Sequence, residues 1–61
     1  MIDHTVVPLG WLVKGTKFSY TKDFQQWGVI VRNDFADTGM VLIEDSDGQY
    51  KEEDGLVEVY V

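Results

Sequence analysis

The sequence predicts an all-β protein that folds as a single small barrel of five strands. Short runs rich in β-branched and aromatic residues recur along its 61 residues, and clusters of Gly, Asn and Asp separate them. No apolar pattern of helical period extends over a useful length. The five predicted strands are residues 16–20, 27–32, 40–45, 49–51 and 56–61. In a chain this short we expect the sheet to close, because closure removes exposed strand edges.

The barrel is predicted to span residues 14–61, after an N-terminal lead-in or edge strand at 1–13. Pro8 favours an edge position for this first segment, since proline cannot donate a hydrogen bond to a central ladder. The run "TKFSY" at 16–20 alternates between apolar and polar residues, which is typical of a half-buried strand. The polar residues 21–26 are then predicted to form a loop.

The middle of the chain predicts two strands joined by a turn. The run "WGVIVR" at 27–32 is rich in β-branched residues and indicates a central strand. Gly28 within it indicates a β-bulge or the close approach of another backbone. "NDFADTG" at 33–39 has the residue types of a turn. "MVLIED" at 40–45 predicts the next strand.

The last third of the chain predicts a hairpin and a closing strand. Asp47 and Gly48 form the Asp-Gly pair that is a strong hairpin signal. Residues 49–51 return as a short strand. "EEDG" at 52–55 then predicts a tight turn, or one turn of 3₁₀ helix, before the last strand at 56–61.

Three features follow one another in a recognisable order. They are a glycine-containing strand at 28–30, an acidic Asp-Gly turn at 45–48 and a Leu-x-x-Val strand at 56–59. This succession resembles a five-stranded SH3-like barrel of the KOW and Tudor kind, and the resemblance covers residues 14–61. It implies a fold and not a function, since one fold hosts many functions. KOW domains generally bind nucleic acid or ribosomal partners through basic loops, and this chain departs from them in its acidic second half.

Acidic residues are concentrated after Asn33. Nine of the eleven acids lie there with a single base, Lys51, and the formal net charge of the chain is −6. Such a charge repels nucleic acid and anionic membranes, and it speeds encounter with a basic protein surface. We therefore expect a protein partner with a basic surface, no membrane partner and no nucleic acid. A plainer interpretation is that the acids only keep a small protein in solution.

The chain contains no cysteine and begins without a basic, apolar leader. Small secreted domains commonly rely on disulfides, so a reducing compartment is favoured and we expect a cytoplasmic protein. No apolar run reaches the length of a membrane-spanning helix. We also expect the chain to be a complete small protein.

The residue pattern argues against metal binding and catalysis. Residues 44–54 are rich in carboxylates, but placing Gly48 at the invariant glycine of a calcium loop puts Ile43 at the first ligand position. His4 is the single histidine, so zinc lacks ligands. No nucleophile motif or phosphate loop is present, and a small barrel has little room for a deep pocket. We expect no metal, no cofactor and no enzymatic activity.

The leading functional hypothesis is a non-enzymatic protein-binding module. Its acidic face is predicted to comprise Glu44, Asp45, Asp47, Glu52, Glu53 and Asp54. Trp11, Phe24 and Phe35 lie in or beside predicted loops and edges, where they would either anchor a partner or fold back on the barrel ends. A free-standing acidic module of this size resembles accessory and inhibitor proteins of bacteriophages, whose target would be a host protein.

Four alternatives remain open. The carboxylates would imitate phosphates in a nucleic-acid mimic that blocks a DNA- or RNA-binding protein. The bases Lys14, Lys17, Lys22 and Arg32 would instead serve a nucleic-acid- or ribosome-associated barrel. The strand at 56–61 would act as an exposed edge in a homo-oligomer. An aromatic cage for a methylated cation has as candidates Phe18, Tyr20, Phe24, Trp27 and Tyr50.

Overall fold

Residues 5–61 are described by a computed structural model. The first four positions of the predicted lead-in, His4 among them, lie outside the described residues. The elements in chain order are β1 (Val6–Pro8), a 3₁₀ turn (Leu9–Trp11), β2 (Lys17–Ser19), β3 (Trp27–Asp34), the helix α1 (Phe35–Thr38), β4 (Met40–Asp45), β5 (Tyr50–Asp54) and β6 (Glu58–Tyr60).

All six strands belong to one antiparallel sheet in the order β1-β6-β2-β3-β4-β5. The protein is therefore all-β as predicted, but the sheet is open rather than a closed barrel and has six strands rather than five. The sheet is open because its two end strands, β1 and β5, do not pair with each other among residues 5–61. The opposite end of the sheet is β5, which pairs with β4 on one side only within the described residues.

The C-terminal strand β6 lies inside the sheet, between β1 and β2. The expectation that residues 56–61 form an exposed edge is therefore wrong. The edge position belongs to β1 instead, where Pro8 pairs with Glu58. An edge suits this proline, because the N–H that it lacks is not needed on the solvent side of an edge strand.

The central pair β3–β4 follows the predicted strands closely, and Gly28 has the predicted close approach. A Cβ at Gly28 would lie 3.0 Å from the Cζ atom of Phe18 and 3.0 Å from the carbonyl oxygen of Glu44. The predicted bulge occurs a few residues later, where the register shifts between Ile30 and Arg32. The sequence marks the tight packing correctly, since only a residue without a side chain fits under the Phe18 ring.

The predicted turn at 33–39 contains the short helix α1. Asn33 prepares its start, because its Oδ1 accepts a 2.9 Å hydrogen bond from the Phe35 N–H. The Asn33 amide also donates to the carbonyl oxygens of Gly10 at 2.9 Å and Leu12 at 2.8 Å. One side chain thus joins the end of β3 to the chain around the 3₁₀ turn.

The Asp-Gly hairpin is confirmed, but the strand after it is longer than predicted. Asp45 Oδ1 accepts hydrogen bonds from the Asp47 and Gln49 N–H groups, and Gly48 adopts a φ of 84°. The strand β5 then runs to Asp54, so "EEDG" at 52–55 is mostly strand rather than turn. Pairing with β4 overrides the polar composition of this segment. Among the described residues the 3₁₀ turn lies at Leu9–Trp11, before β2, and not before the last strand.

The core lies on one side of the curved sheet. Among residues 5–61, six apolar side chains are at most 1% exposed, namely Leu9, Phe18, Ile30, Val41, Ile43 and Val59. They come from the 3₁₀ turn and from four of the six strands, so the core is built almost entirely from residues distant in sequence. Each buried aliphatic or aromatic side chain of this size contributes about 1.5–3 kcal/mol.

Candidate functional site

The side of β3, β4 and β5 that faces away from the core carries nine side chains in three cross-strand rows. The rows are Val29, Glu44 and Tyr50; Arg32, Leu42 and Glu52; and Asp34, Met40 and Asp54. Residues directly opposite each other on neighbouring strands share a face, and alternate residues such as Val41 and Ile43 point into the core. We call these nine residues the outer face.

The outer face combines an apolar centre with carboxylates. Leu42 and Met40 are half-buried, and Tyr50 is 63% exposed. Four acids share the face with a single base, Arg32, whose Nε lies 2.6 Å from Asp34 Oδ2. The remaining acids are Glu44, Glu52 and Asp54. The face is therefore strongly negative, and its one positive charge is already bound.

The six acids predicted to form an acidic face do not share one face. Glu44, Glu52 and Asp54 lie on the outer face, whereas Asp45 and Glu53 alternate with them on the side of the core, and Asp47 lies in the turn between β4 and β5. The period of two along each strand separates them. Sequence reasoning missed the apolar partners on the same face and Asp34. Counting alternate positions along 40–45 is the signal that finds Met40 and Leu42 beside Glu44, whereas Asp34 joins the face only through its pairing with Met40.

Three of the predicted acids hold the local structure. Asp45 Oδ1 caps the hairpin turn, and Asp54 Oδ1 accepts a 2.9 Å hydrogen bond from the Leu56 N–H. Glu53 Oε2 accepts a 2.7 Å hydrogen bond from the Tyr20 hydroxyl. Burial raises the pKa of Tyr20, and the hydrogen bond to Glu53 and the charge of Glu53 raise that pKa further. Nothing similar engages the carboxylates of Glu44 and Glu52 among residues 5–61.

Lys51, the only base in the acidic half of the sequence, lies on the side of the sheet opposite the outer face. Its Nζ lies 5.3 Å from the centroid of the Tyr20 ring and 3.7 Å from Glu53 Oε2. Because side chains alternate along β5, the positive charge of Lys51 is absent from the outer face, where Glu52 and Asp54 lie. Lys17 is also engaged, with its Nζ 4.3 Å from the centroid of the Trp27 ring.

The three predicted aromatic anchors have different environments. Trp11 is 72% exposed. Phe35 is half-buried against the core, and its ring lies where a Cβ of Gly10 or Gly55 would be. Phe24 is half-buried in the loop after β2 and has a φ of 59°. The structure thus places Phe35 as a packing residue at the end of the sheet and presents Trp11 to solvent.

A cleft of about 330 Å³ lies between the loop after β2 and the β4–β5 turn. Its lining includes the rings of Tyr20 and Trp27 together with Asp45, Asp47 and Lys51. The chain's own lysines already lie over both rings. Of the other cage candidates, Phe18 is fully buried and Tyr50 lies on the outer face.

No three acidic or histidine side chains converge within residues 5–61 into a group suited to a metal ion. In the same part of the chain, no helix has the length and apolar character needed to cross a membrane. Comparisons with protein-family models, with curated proteins and with solved structures found no match to this sequence or fold.

Proposed function

We propose that this chain is a non-enzymatic protein-binding module that binds a basic surface of its partner through the outer face. The observation that carries the proposal is the composition of that face. Glu44, Glu52 and Asp54 lie beside a partly exposed apolar centre, while the only base of the face is paired with Asp34. Carboxylates speed the encounter and orient a basic partner, and apolar side chains supply the contact that excludes water.

The size of the outer face sets a limit on what it does alone. Three strands and five residues cover about 10 Å by 14 Å of sheet, because strands lie about 4.8 Å apart and rise about 3.4 Å per residue. A stable interface commonly buries about 800 Å² on each partner, which is more than this patch supplies. We therefore infer that the complex uses a further element of the chain, and Trp11 is one such candidate because of its exposure.

A nucleic-acid mimic is the second candidate. It is favoured by the position of Lys51 on the opposite side of the sheet, which leaves Glu44, Glu52 and Asp54 without an unpaired base among them on the outer face. The third candidate, a nucleic-acid- or ribosome-associated protein, has less support, because Lys17 lies over Trp27 and Arg32 pairs with Asp34. The small size and the acidity remain the grounds for proposing a bacteriophage accessory or inhibitor protein.

The experiment uses two variants with the same change in net charge. Glu44→Gln with Glu52→Gln removes two of the four carboxylates of the outer face, and Asp37→Asn with Glu58→Gln removes two exposed carboxylates elsewhere. Each protein is immobilised, bacterial lysate is passed over it, and bound proteins are eluted in steps of rising salt. We expect a basic protein to be retained by the wild type and by the Asp37/Glu58 variant and to be lost from the Glu44/Glu52 variant.

The salt step at which the partner elutes separates the candidates. Elution of a nucleic-acid-binding protein at moderate salt, together with displacement by added DNA or RNA, identifies a mimic, since screened charge then dominates. Retention through high salt indicates apolar anchoring and supports the protein-binding module. Equal retention by the two double variants contradicts a role for the outer face.

A further inference from the structure

Within residues 5–61, the strand β5 has one side without a neighbouring strand. The register of the β4–β5 pair is fixed at its two ends, where the Asp45 N–H donates to Gln49 at 2.9 Å and the Gly55 N–H donates to Gly39 at 2.9 Å. Bonded and non-bonded pairs alternate along antiparallel strands. The odd-numbered residues 49–55 therefore bond to β4, and the even-numbered ones direct their backbone groups outward.

The outward backbone groups are those of Tyr50, Glu52 and Asp54. All three N–H groups point away from β4, as do the carbonyl groups of Tyr50 and Glu52, whereas the Asp54 carbonyl accepts a 3.1 Å bond from the Val57 N–H. The same three side chains form the border of the outer face. Backbone hydrogen-bonding capacity and acidic side chains thus coincide at one edge.

The opposite edge of the sheet is not equivalent. The strand β1 has three residues, and one of them is Pro8, which has no N–H to offer. Short edges and prolines are the usual means by which proteins prevent strand addition. The strand β5 has five residues, no proline and no bulge in its pairing with β4. Its protection consists of charge alone.

Charge protects β5 against some partners and not against others. A second copy paired antiparallel about Glu52 would place two glutamates opposite each other and destabilise the pair. A strand carrying Lys or Arg at alternate positions meets opposite charges instead. Basic side chains next to Glu52 and Asp54 would lie on the outer face, within reach of two carboxylates that protrude from an edge exposed to solvent.

We propose that the partner adds an extended segment to the free edge of β5, as a seventh strand with Lys or Arg at alternate positions on the outer-face side. Backbone bonds to Tyr50 and Glu52 supply affinity, and the basic side chains pair with Glu52 and Asp54. This inference rests on the proposed function and deepens it, since it names the binding mode and the kind of segment that is bound. It also supplies the additional contact area that the outer face lacks.

The test uses a capped six-residue peptide of alternating Val and Lys. A second peptide has the same sequence and charge, but all of its backbone nitrogens are methylated, which removes the N–H donors from both of its edges. Binding is followed by NMR on the isotope-labelled protein. We expect the unmodified peptide to bind at least about tenfold more tightly, because each lost backbone bond costs about 1 kcal/mol. We also expect it to slow amide exchange at Tyr50, Glu52 and Asp54.

A proline substitution at position 52 changes the free edge of β5 itself and leaves the peptide unmodified. Glu52→Pro removes an outward N–H, so the protein should fold, whereas Lys51→Pro removes an inward one and should unfold it. Glu52→Gln is the matched control, because it removes the same charge and keeps the N–H. We expect Glu52→Pro to bind the peptide at least about tenfold more weakly than Glu52→Gln.

The outcomes separate the two proposals. Equal binding of the methylated and unmodified peptides, with no protection of the three amides, overturns strand addition and leaves binding by the outer face in place. Absence of binding by both peptides also overturns strand addition. The proposed function is then decided by the Glu44/Glu52 capture experiment, which does not depend on these peptides. If Glu52→Pro and Glu52→Gln bind the unmodified peptide equally, the edge is not its binding site.

Discussion

The hydroxyl of Tyr20 donates a 2.7 Å hydrogen bond to Glu53 Oε2, and so joins the loop after β2 to the edge strand β5 across 33 positions of sequence. The Tyr20 ring packs edge-on against Phe18 at 5.5 Å, which links the same contact to the core. The Nζ atom of Lys51 lies 5.3 Å from the centroid of the Tyr20 ring and 3.7 Å from Glu53 Oε2, so it contacts both partners of this hydrogen bond. The bond fixes β5 from the core side and leaves its outer face and free edge available.

Removal of the Tyr20 hydroxyl should destabilise the protein. We expect Tyr20→Phe to lower the free energy of unfolding by about 1–2 kcal/mol, because the bond is to a charged acceptor and is partly buried. Urea denaturation of Tyr20→Phe, Glu53→Gln and the double variant measures the coupling between the two groups. Additive effects in this cycle would mean that the hydrogen bond contributes nothing to stability.

The raised pKa of Tyr20 predicts a loss of stability in alkali. The folded protein holds the phenol neutral, whereas the unfolded chain ionises it near pH 10. The contribution of Tyr20 is therefore complete below that pH and declines as the pH rises through the pKa of the folded state. The difference in stability between the wild type and Tyr20→Phe, measured from melting curves between pH 8 and 11, should be constant below about pH 10 and narrow above it. A constant difference would contradict the prediction.

Phe35 should be required for stability rather than for binding. Its ring packs on Gly10 and Gly55, whose backbones are joined by a 2.8 Å hydrogen bond from the Gly10 N–H to the Gly55 carbonyl. We expect Phe35→Ala to cost about 2–3 kcal/mol, less than the loss for a fully buried ring. Gly55→Ala should cost about 1–3 kcal/mol by overpacking, and this cost should shrink in the Phe35→Ala background. Urea denaturation of the wild type, the two single variants and the double variant measures both costs. If Gly55→Ala costs as much in the Phe35→Ala background as in the wild type, the added methyl group does not clash with the Phe35 ring.

Trp11 should be required for binding rather than for stability. Because its side chain is 72% exposed, Trp11→Ala should change the free energy of unfolding by at most about 0.5 kcal/mol. Affinity for a partner captured by the wild type should fall at least about tenfold if the indole is an anchor of the interface, since interface tryptophans are frequent hot spots. Titration calorimetry with the purified partner measures this, and the exposed Val13→Ala substitution is the control. Unchanged affinity would exclude Trp11 from the interface.

Asn33 should be a structural residue despite its exposed position. Its side chain makes three hydrogen bonds, two from its amide to the carbonyl groups of Gly10 and Leu12 and one from the Phe35 N–H to its Oδ1. We expect Asn33→Ala to cost about 1–3 kcal/mol, and Asn33→Asp to cost at least as much, because its carboxylate would face the carbonyl oxygens of Gly10 and Leu12 that the Asn33 amide binds. Thermal denaturation compares both variants with the wild type, and an unchanged stability of Asn33→Asp would show that the two hydrogen bonds from the Asn33 amide contribute nothing.

The sequence by itself determined the local features that short-range rules govern. Alternation and turn residues located β3, β4 and the Asp45–Gly48 hairpin, and Gly28 indicated a close backbone approach because no side chain fits there. The same rules failed at 52–55, because strand or turn is decided there by pairing with β4, a contact that composition does not reveal.

The tertiary structure decided what depends on partners distant in sequence. Pairing of β1 with β6 placed the C-terminal strand inside the sheet, and the lack of pairing between β1 and β5 among residues 5–61 left the sheet open, with β5 at an edge. The acids of 44–54 looked like one surface in the sequence, but strand alternation divided them between two sides, and only the register showed which apolar residues share the side of Glu44 and Glu52. The sequence determines the number of charged residues, but the pairing of the strands decides which of them share a surface. The physical reason is that a one-residue change of register moves every side chain of a strand to the other face of the sheet.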